Sequence, residues 1–294
     1  MRVKKRDAVS TVIVILIFLV GLSLLLYPTV SEYFNSRHQS HVIEDYASQV
    51  DQTAKENRRK LWQEAEEFNQ ELAARPFQTE LSEAMTERYN EVLNSSGNGV
   101  MGYLEIPSID CRLAIYHGTD EEVLQVAIGH LEWSSLPVGG ESTHSVISGH
   151  RGLPSAELLT NIDRMEKGDV FYIHVLGETL TYRVDQIAVV EPTDVSLLRI
   201  EEGRDYVTLL TCTPYGINSH RLLVRGTRIN AGGEPDAQLQ LSGEVRELNV
   251  FYPVAGALLG IVVAAFLVLL IVTKQKKKKG GKRLLEKDKK FKRW

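Results

Sequence analysis

Two uncharged runs constrain this chain more than anything between them: Ala8 to Tyr27 (AVSTVIVILIFLVGLSLLLY) and Phe251 to Val272 (FYPVAGALLGIVVAAFLVLLIV). Each has the length a helix needs to cross a hydrocarbon layer of about 30 Å. Residues 1–7 carry +3 and residues 273–294 carry +10, which leaves −17 for the remainder of a chain whose net charge is −4. Positive charge flanks the first run on its N-terminal side and the second on its C-terminal side. Both ends are therefore expected in the cytoplasm and the loop between them outside, a two-pass protein of the cell membrane. The first run reads as an uncleaved anchor rather than a signal peptide: it is longer than a typical h-region, and Leu24-Leu25-Leu26-Tyr27-Pro28 offers no small-x-small cleavage site. Gly256 and Gly260 form a small-xxx-small pair that suits packing of the two helices; a glycine that merely occurs in a membrane helix is the plainer reading. Cationic ends around an acidic middle argue against nucleic acid as a partner, since a phosphate-binding domain should itself be basic.

Between the runs the pattern changes twice. Residues 28–99 are polar with helical periodicity: Val42, Tyr46 and Val50 recur on one face, as do Trp62, Ala65, Phe68 and Leu72, and then Leu81, Met85, Tyr89 and Val92. This extracellular helical stalk is interrupted at Ala74-Arg75-Pro76-Phe77, where proline ends a helix or tightens a connection. From Val100 the periodicity is that of strands. Apolar or β-branched runs occur at Gly102–Ile106, Arg112–Tyr116, Ser145–Ile147, Val170–Val175, Leu180–Val184, Ile187–Val190, Val207–Thr211 and Leu222–Val224, with short helical pieces at Glu121–Val126 and Ser155–Leu159. A mainly β fold is expected over 100–230, an eight-stranded closed or nearly closed barrel. Residues 231–250 form an acidic linker to the second span.

The reactive residues gather near the end of that β region. The run Val207–Thr211 delivers Cys212, Pro214 to Asn218 turn the chain, and the next run begins just after Arg221. A hairpin there brings a thiol and a guanidinium to one edge of a sheet, where the positive charge favours the thiolate. Cys111 is the other cysteine, so a Cys111–Cys212 disulfide is the rival for an exported protein. Among eight histidines, His150 stands in a Gly-flanked loop, Ser148-Gly149-His150-Arg151-Gly152, after a strand, and is the candidate acid/base group. His130 and His144 are placed near the groove without a role in proton transfer. The histidines lack zinc-site spacing, so no metal site is expected.

Thr208-Leu209-Leu210-Thr211-Cys212, with Arg221 nine residues on and His150 about sixty before, resembles the sortases, cysteine transpeptidases of Gram-positive cell surfaces. The wider wording, VLQVAIGHLEWSSLPVGGESTHSVISGHRGLP and TLLTCTPYGINSHRLLVRG, is similar to the class C, pilus-assembling branch. The resemblance covers roughly Val100 to Ile229. It implies Cys212 as nucleophile, His150 as general acid/base and Arg221 as stabiliser of the oxyanion and substrate, with no cofactor. The implied substrate is an LPxTG-like sorting signal, and the implied acceptor is a lysine amine of a pilin subunit. In this branch a lid with an Asp-Pro-aromatic motif enters the active site. Here the tripeptide is Arg75-Pro76-Phe77 within a possible lid at 74–78, so Phe77 remains available to cover the thiol while the acid that would pair with Arg221 is missing. Three alternatives stay open: a housekeeping-type sortase using a peptidoglycan precursor, a hydrolytic cysteine peptidase, and a non-catalytic anchored surface module.

Overall fold

The computed structural model describes residues 2–95 and 97–229. The expected linker at 231–250, second span at 251–272 and basic tail at 273–294 lie outside the described residues.

Helix α1 (Arg2–Gln52) carries the first apolar run and continues through Pro28. Among the described residues it is the one helix long and apolar enough to cross a membrane. Beyond that segment α1 has a buried face made by Ile43, Tyr46 and Val50, which packs on Val100 and Ala114. Helices α2 (Lys55–Ala73) and α3 (Glu83–Glu91) follow. Their apolar faces, Ala65 and Phe68 on one and Met85 and Tyr89 on the other, belong to the same core cluster as the barrel interior. The stretch expected as a stalk is thus folded against the barrel. A stripe of three or four apolar residues per helix has no other place to leave water.

Eight strands close a barrel in the order β1-β2-β3-β4-β7-β8-β6-β5. They are β1 (Val100–Ile106), β2 (Cys111–His117), β3 (Ile128–His130), β4 (Thr143–Ser148), β5 (Val170–Val175), β6 (Glu178–Val190), β7 (Asp205–Thr213) and β8 (His220–Arg228). A short helix α4 (Glu121–Leu124) precedes β3. The strand number agrees with the sequence pattern, but the membership differs. Leu180–Val184 and Ile187–Val190, expected as two strands, are one strand whose register shifts between Val184 and Gln186. Such a bulge breaks the alternation that marks a continuous strand. The strand β3 was not expected, because three residues are too few to establish a period. Residues 155–159, expected as helical, are bends and turns, with a 3-10 turn at Ile162–Arg164 instead.

Alternation along β4, β7 and β8 sorts their side chains between two clusters. Ile147, Val207, Leu209, Leu222 and Val224 point into the barrel core. Val146, Leu210 and Leu223 point outward and pack with Leu131, Trp133, Val195 and Leu198. Because successive side chains alternate, Cys212 and Arg221 share the outward face with Leu210 and Leu223.

Candidate active site

The hairpin of β7 and β8 sets Cys212 directly across from Arg221 in an antiparallel register. Residues so paired have Cβ atoms about 4.5–5.5 Å apart. The Arg221 guanidinium is steadied by the turn itself: Nη1 donates to the carbonyls of Asn218 (3.3 Å) and His220 (3.2 Å). On the other side of β7, strand β4 runs parallel, with Ser148 beside Leu210. The pairing continues past the end of β4. The Gly149 amide donates to the Leu210 carbonyl at 3.1 Å, and Thr211 Oγ1 donates to the Gly149 carbonyl at 2.7 Å. That register brings His150 abreast of Cys212. Gly149 permits it: a Cβ there would lie 2.7 Å from Ile128 and 2.9 Å from Leu159. His150, Cys212 and Arg221 therefore stand in one row at one end of the barrel. His150 Nε2 is buried and has no hydrogen-bond partner among the described residues, so it is not committed to a structural bond there.

A groove of about 240 Å³ lies over the outward face, and of the row Arg221 is the member that lines it. Leu210 and Leu223 line it, Trp133, Val195 and Leu198 wall it, and Arg221 stands at one end. An apolar trough with a cation at one end suits an extended, largely apolar peptide whose reacting carbonyl needs a donor.

Arg75, Pro76 and Phe77 lie in the connector between α2 and α3. Arg75 pairs with Glu71 at 3.4 Å. The Phe77 ring meets Trp133 edge-on at 5.8 Å and lies under the Arg199 guanidinium at 4.9 Å. A cavity of about 480 Å³ beneath this connector shares Trp133 and Leu198 with the groove. Phe77 is thus seated on a groove wall.

The remaining candidates have structural roles. Cys111 and Cys212 are both free. The Cys111 thiol packs against the core with Sγ 3.9 Å from the Leu158 carbonyl, and burial pushes it up to about 12. His130 is wholly buried, with Nε2 2.8 Å from the Ser135 carbonyl and Nδ1 3.1 Å from the Tyr89 hydroxyl; burial pushes its pKa down to about 3. His144 is held between the Arg199 carbonyl and Thr208 Oγ1, and burial lowers it as well.

One residue of the site was not singled out from sequence. Arg151 Nη1 donates to Thr213 Oγ1 at 3.2 Å, Nη2 pairs with Asp163, and the guanidinium lies 6.0 Å from the Tyr215 ring centroid. Its side chain is 10% exposed, and it ties the His150 loop to the residue after Cys212. Its place in Gly-His-Arg-Gly was the available signal; Asp163, its counter-ion, is twelve residues away and gave none.

The sortase domain family matches residues 104–229. Sortase C1 of Streptococcus agalactiae superposes with a TM-score of 0.63 at 46% identity, over 65% of this chain and 98% of that one. The chain belongs to the sortase family. Its likeness to solved sortases places it in class C. Sortase C of Streptococcus pneumoniae is 49% identical, with a TM-score of 0.59 over 65% of this chain and 97% of its own. Sortase D of Bacillus subtilis is 30% identical over 131 residues, 44% of this sortase and 63% of the relative's length. The family is one of cysteine transpeptidases, and the row of thiol, imidazole and guanidinium lies within the matched residues.

Proposed function

We propose that this sortase cleaves an LPxTG-like sorting signal through a thioester on Cys212 and passes the acyl group to a lysine amine of a pilin subunit. The observation that carries the reading is the register that lines up His150, Cys212 and Arg221 at one end of the barrel, with Arg221 also lining an apolar groove.

The Cys212 thiolate attacks the carbonyl carbon of the threonine. The developing oxyanion lies within reach of Arg221, whose fixed donors and permanent charge favour that state over the neutral carbonyl. As the C–N bond breaks, His150 as imidazolium gives its proton to the leaving glycine amine. The neutral imidazole then takes a proton from the incoming lysine amine while that nitrogen attacks the thioester, and the thiolate leaves. Arg151 acts as a positioning residue, holding the His150 loop against the end of β7.

The connector with Arg75, Pro76 and Phe77 serves as a lid over the groove, anchored by Phe77 on Trp133 and Arg199. An arginine in place of an acid turns Arg75 toward Glu71, so this lid is latched through its aromatic residue. The first apolar run anchors the enzyme, and the second span returns the chain to the cytoplasm, with catalysis on the outer side. Substrate and enzyme then share one bilayer plane.

The test is mass spectrometry after exposure to a sorting-signal peptide, followed by incubation with purified pilin. An acyl adduct on Cys212 and a high-mass pilin ladder are expected. An adduct resolved only by a peptidoglycan-precursor amine would replace the pilin with the housekeeping reading. Absence of any adduct would remove the catalytic one.

A further inference from the structure

Helix α1 meets the barrel first at the end that bears Cys212. Glu32, the first charged residue after Asp7, accepts a hydrogen bond from the Glu157 amide in the loop that follows His150. Farther along, Gln39 accepts from the Ala114 amide at 2.8 Å and donates to the Val126 carbonyl at 2.7 Å. Tyr46 then donates to the Met101 carbonyl and accepts from the Leu176 amide. Leu176 lies in the β5–β6 turn, at the opposite end from Cys212: β5 pairs with β1 so that Tyr172 is beside Glu105 and His174 beside Tyr103, and β1 starts at the far end. From its apolar segment, α1 therefore runs from the catalytic end toward the other.

The spacing is short. Glu32 is five residues past Tyr27, about 7.5 Å of helix. A headgroup layer is roughly 5–8 Å thick. At the same end, the tip between β7 and β8 exposes Tyr215 (60%) and Ile217 (71%). Tyr215 turns one side toward Arg151 and Gly152 and keeps the rest in the open, and Ile217 is the more exposed of the two. A tyrosine beside an aliphatic residue is the kind of pair that settles at a bilayer interface. The carboxylates of Glu32 and Glu157 at this rim would not enter hydrocarbon, which confines the contact to headgroup depth.

We propose that the catalytic end of the barrel faces the bilayer, with Tyr215 and Ile217 in the lipid headgroup layer. The groove is then loaded from the membrane side by a substrate still embedded in that membrane. This rests on the reading of α1 as an anchor, and the experiment separates the two. The full chain, in a Cys212→Ala background, receives one bimane label at Ser31→Cys, Ile217→Cys or Glu178→Cys. Each is reconstituted in phosphatidylcholine–phosphatidylglycerol nanodiscs doped with headgroup-nitroxide lipid; the background chain controls for labelling of Cys111. Strong quenching at 31 and 217, with little at 178, is expected. Quenching at 31 without quenching at 217 overturns the orientation alone, and no quenching at 31 overturns the anchor and the orientation together. In the active chain, Ile217→Ser should lower turnover of a bilayer-embedded sorting peptide severalfold and leave a water-soluble peptide unaffected. Equal rates of variant and parent on both substrates would overturn loading from the membrane side.

Discussion

Cys212 and Arg221 occupy facing positions of one antiparallel ladder, a residue short of the last pair before the β7–β8 turn. Their proximity is thus set by the pairing of two strands. The guanidinium is held from behind by the carbonyls of Asn218 and His220, which leaves its other donors free for a substrate oxygen.

Replacing Arg221 by alanine is expected to lower kcat about 10²–10³-fold, the usual cost of losing one oxyanion donor. Lysine should recover little, because a point charge does not reproduce the planar fork. Because Arg221 sits at a partly exposed rim, the free energy of unfolding should stay within about 0.5 kcal/mol of the parent. Steady-state turnover of a sorting peptide, paired with thermal unfolding, checks both; an R221A enzyme with parental kcat would remove this role.

Arg151 connects the His150 loop to Thr213 and Asp163. Arg151→Met should cost about tenfold or more in kcat with KM little changed, because small displacements of a catalytic group are expensive. Asp163→Asn should have a weaker effect of the same kind. The pH–rate profile should shift with Arg151→Met if the imidazole has moved. A fall in KM-controlled binding with an unaltered profile would speak for a purely structural bond.

Phe77 rests on Trp133 and beneath Arg199. An aromatic pair is worth about 0.5–1.5 kcal/mol and an exposed cation–π contact about 0.5–1 kcal/mol. Phe77→Ala is expected to raise turnover of a short fluorogenic peptide up to about tenfold, since 1.4 kcal/mol is a factor of ten in an equilibrium. Arg199→Ala should raise it less. A rate unchanged by both substitutions would mean that the connector does not restrict the groove.

His130, with its pKa pushed down to about 3, stays neutral in the folded barrel, and burial favours the neutral form of His144 as well. An unfolded histidine titrates near 6.5. Below that pH the unfolded chain takes up protons that the folded chain does not. Stability is therefore complete above about pH 6.5 and is lost as pH falls, by roughly 1.4 kcal/mol per unit through His130, with His144 acting in the same direction. Urea midpoints of the detergent-solubilised chain at pH 7.5, 6 and 5 should decline in that order, and His130→Gln should flatten the slope. A midpoint rising toward acid would contradict the buried, neutral assignment.

Much of the architecture was legible from residue types alone. The helical faces centred on Tyr46, Phe68 and Tyr89 are buried as their spacing predicts. Most strand positions follow from alternation. The failures have local causes: the bulge at Val184–Gln186 split one strand into two, and β3 is too short to show a period.

By itself the sequence determined what depends on near neighbours: an apolar helix of spanning length, helices with one oily face, and a hairpin that brings a thiol to a guanidinium. Tertiary structure alone decided where His150 stands, because β4 and β7 are parallel strands far apart in the chain and no local rule specifies their register. The same holds for Arg151 against Thr213, for Phe77 on Trp133, and for the direction in which α1 crosses the barrel. Contacts between distant segments are selected by the collective fit of a closed barrel and its packed helices, and residue order along any one segment does not contain that fit.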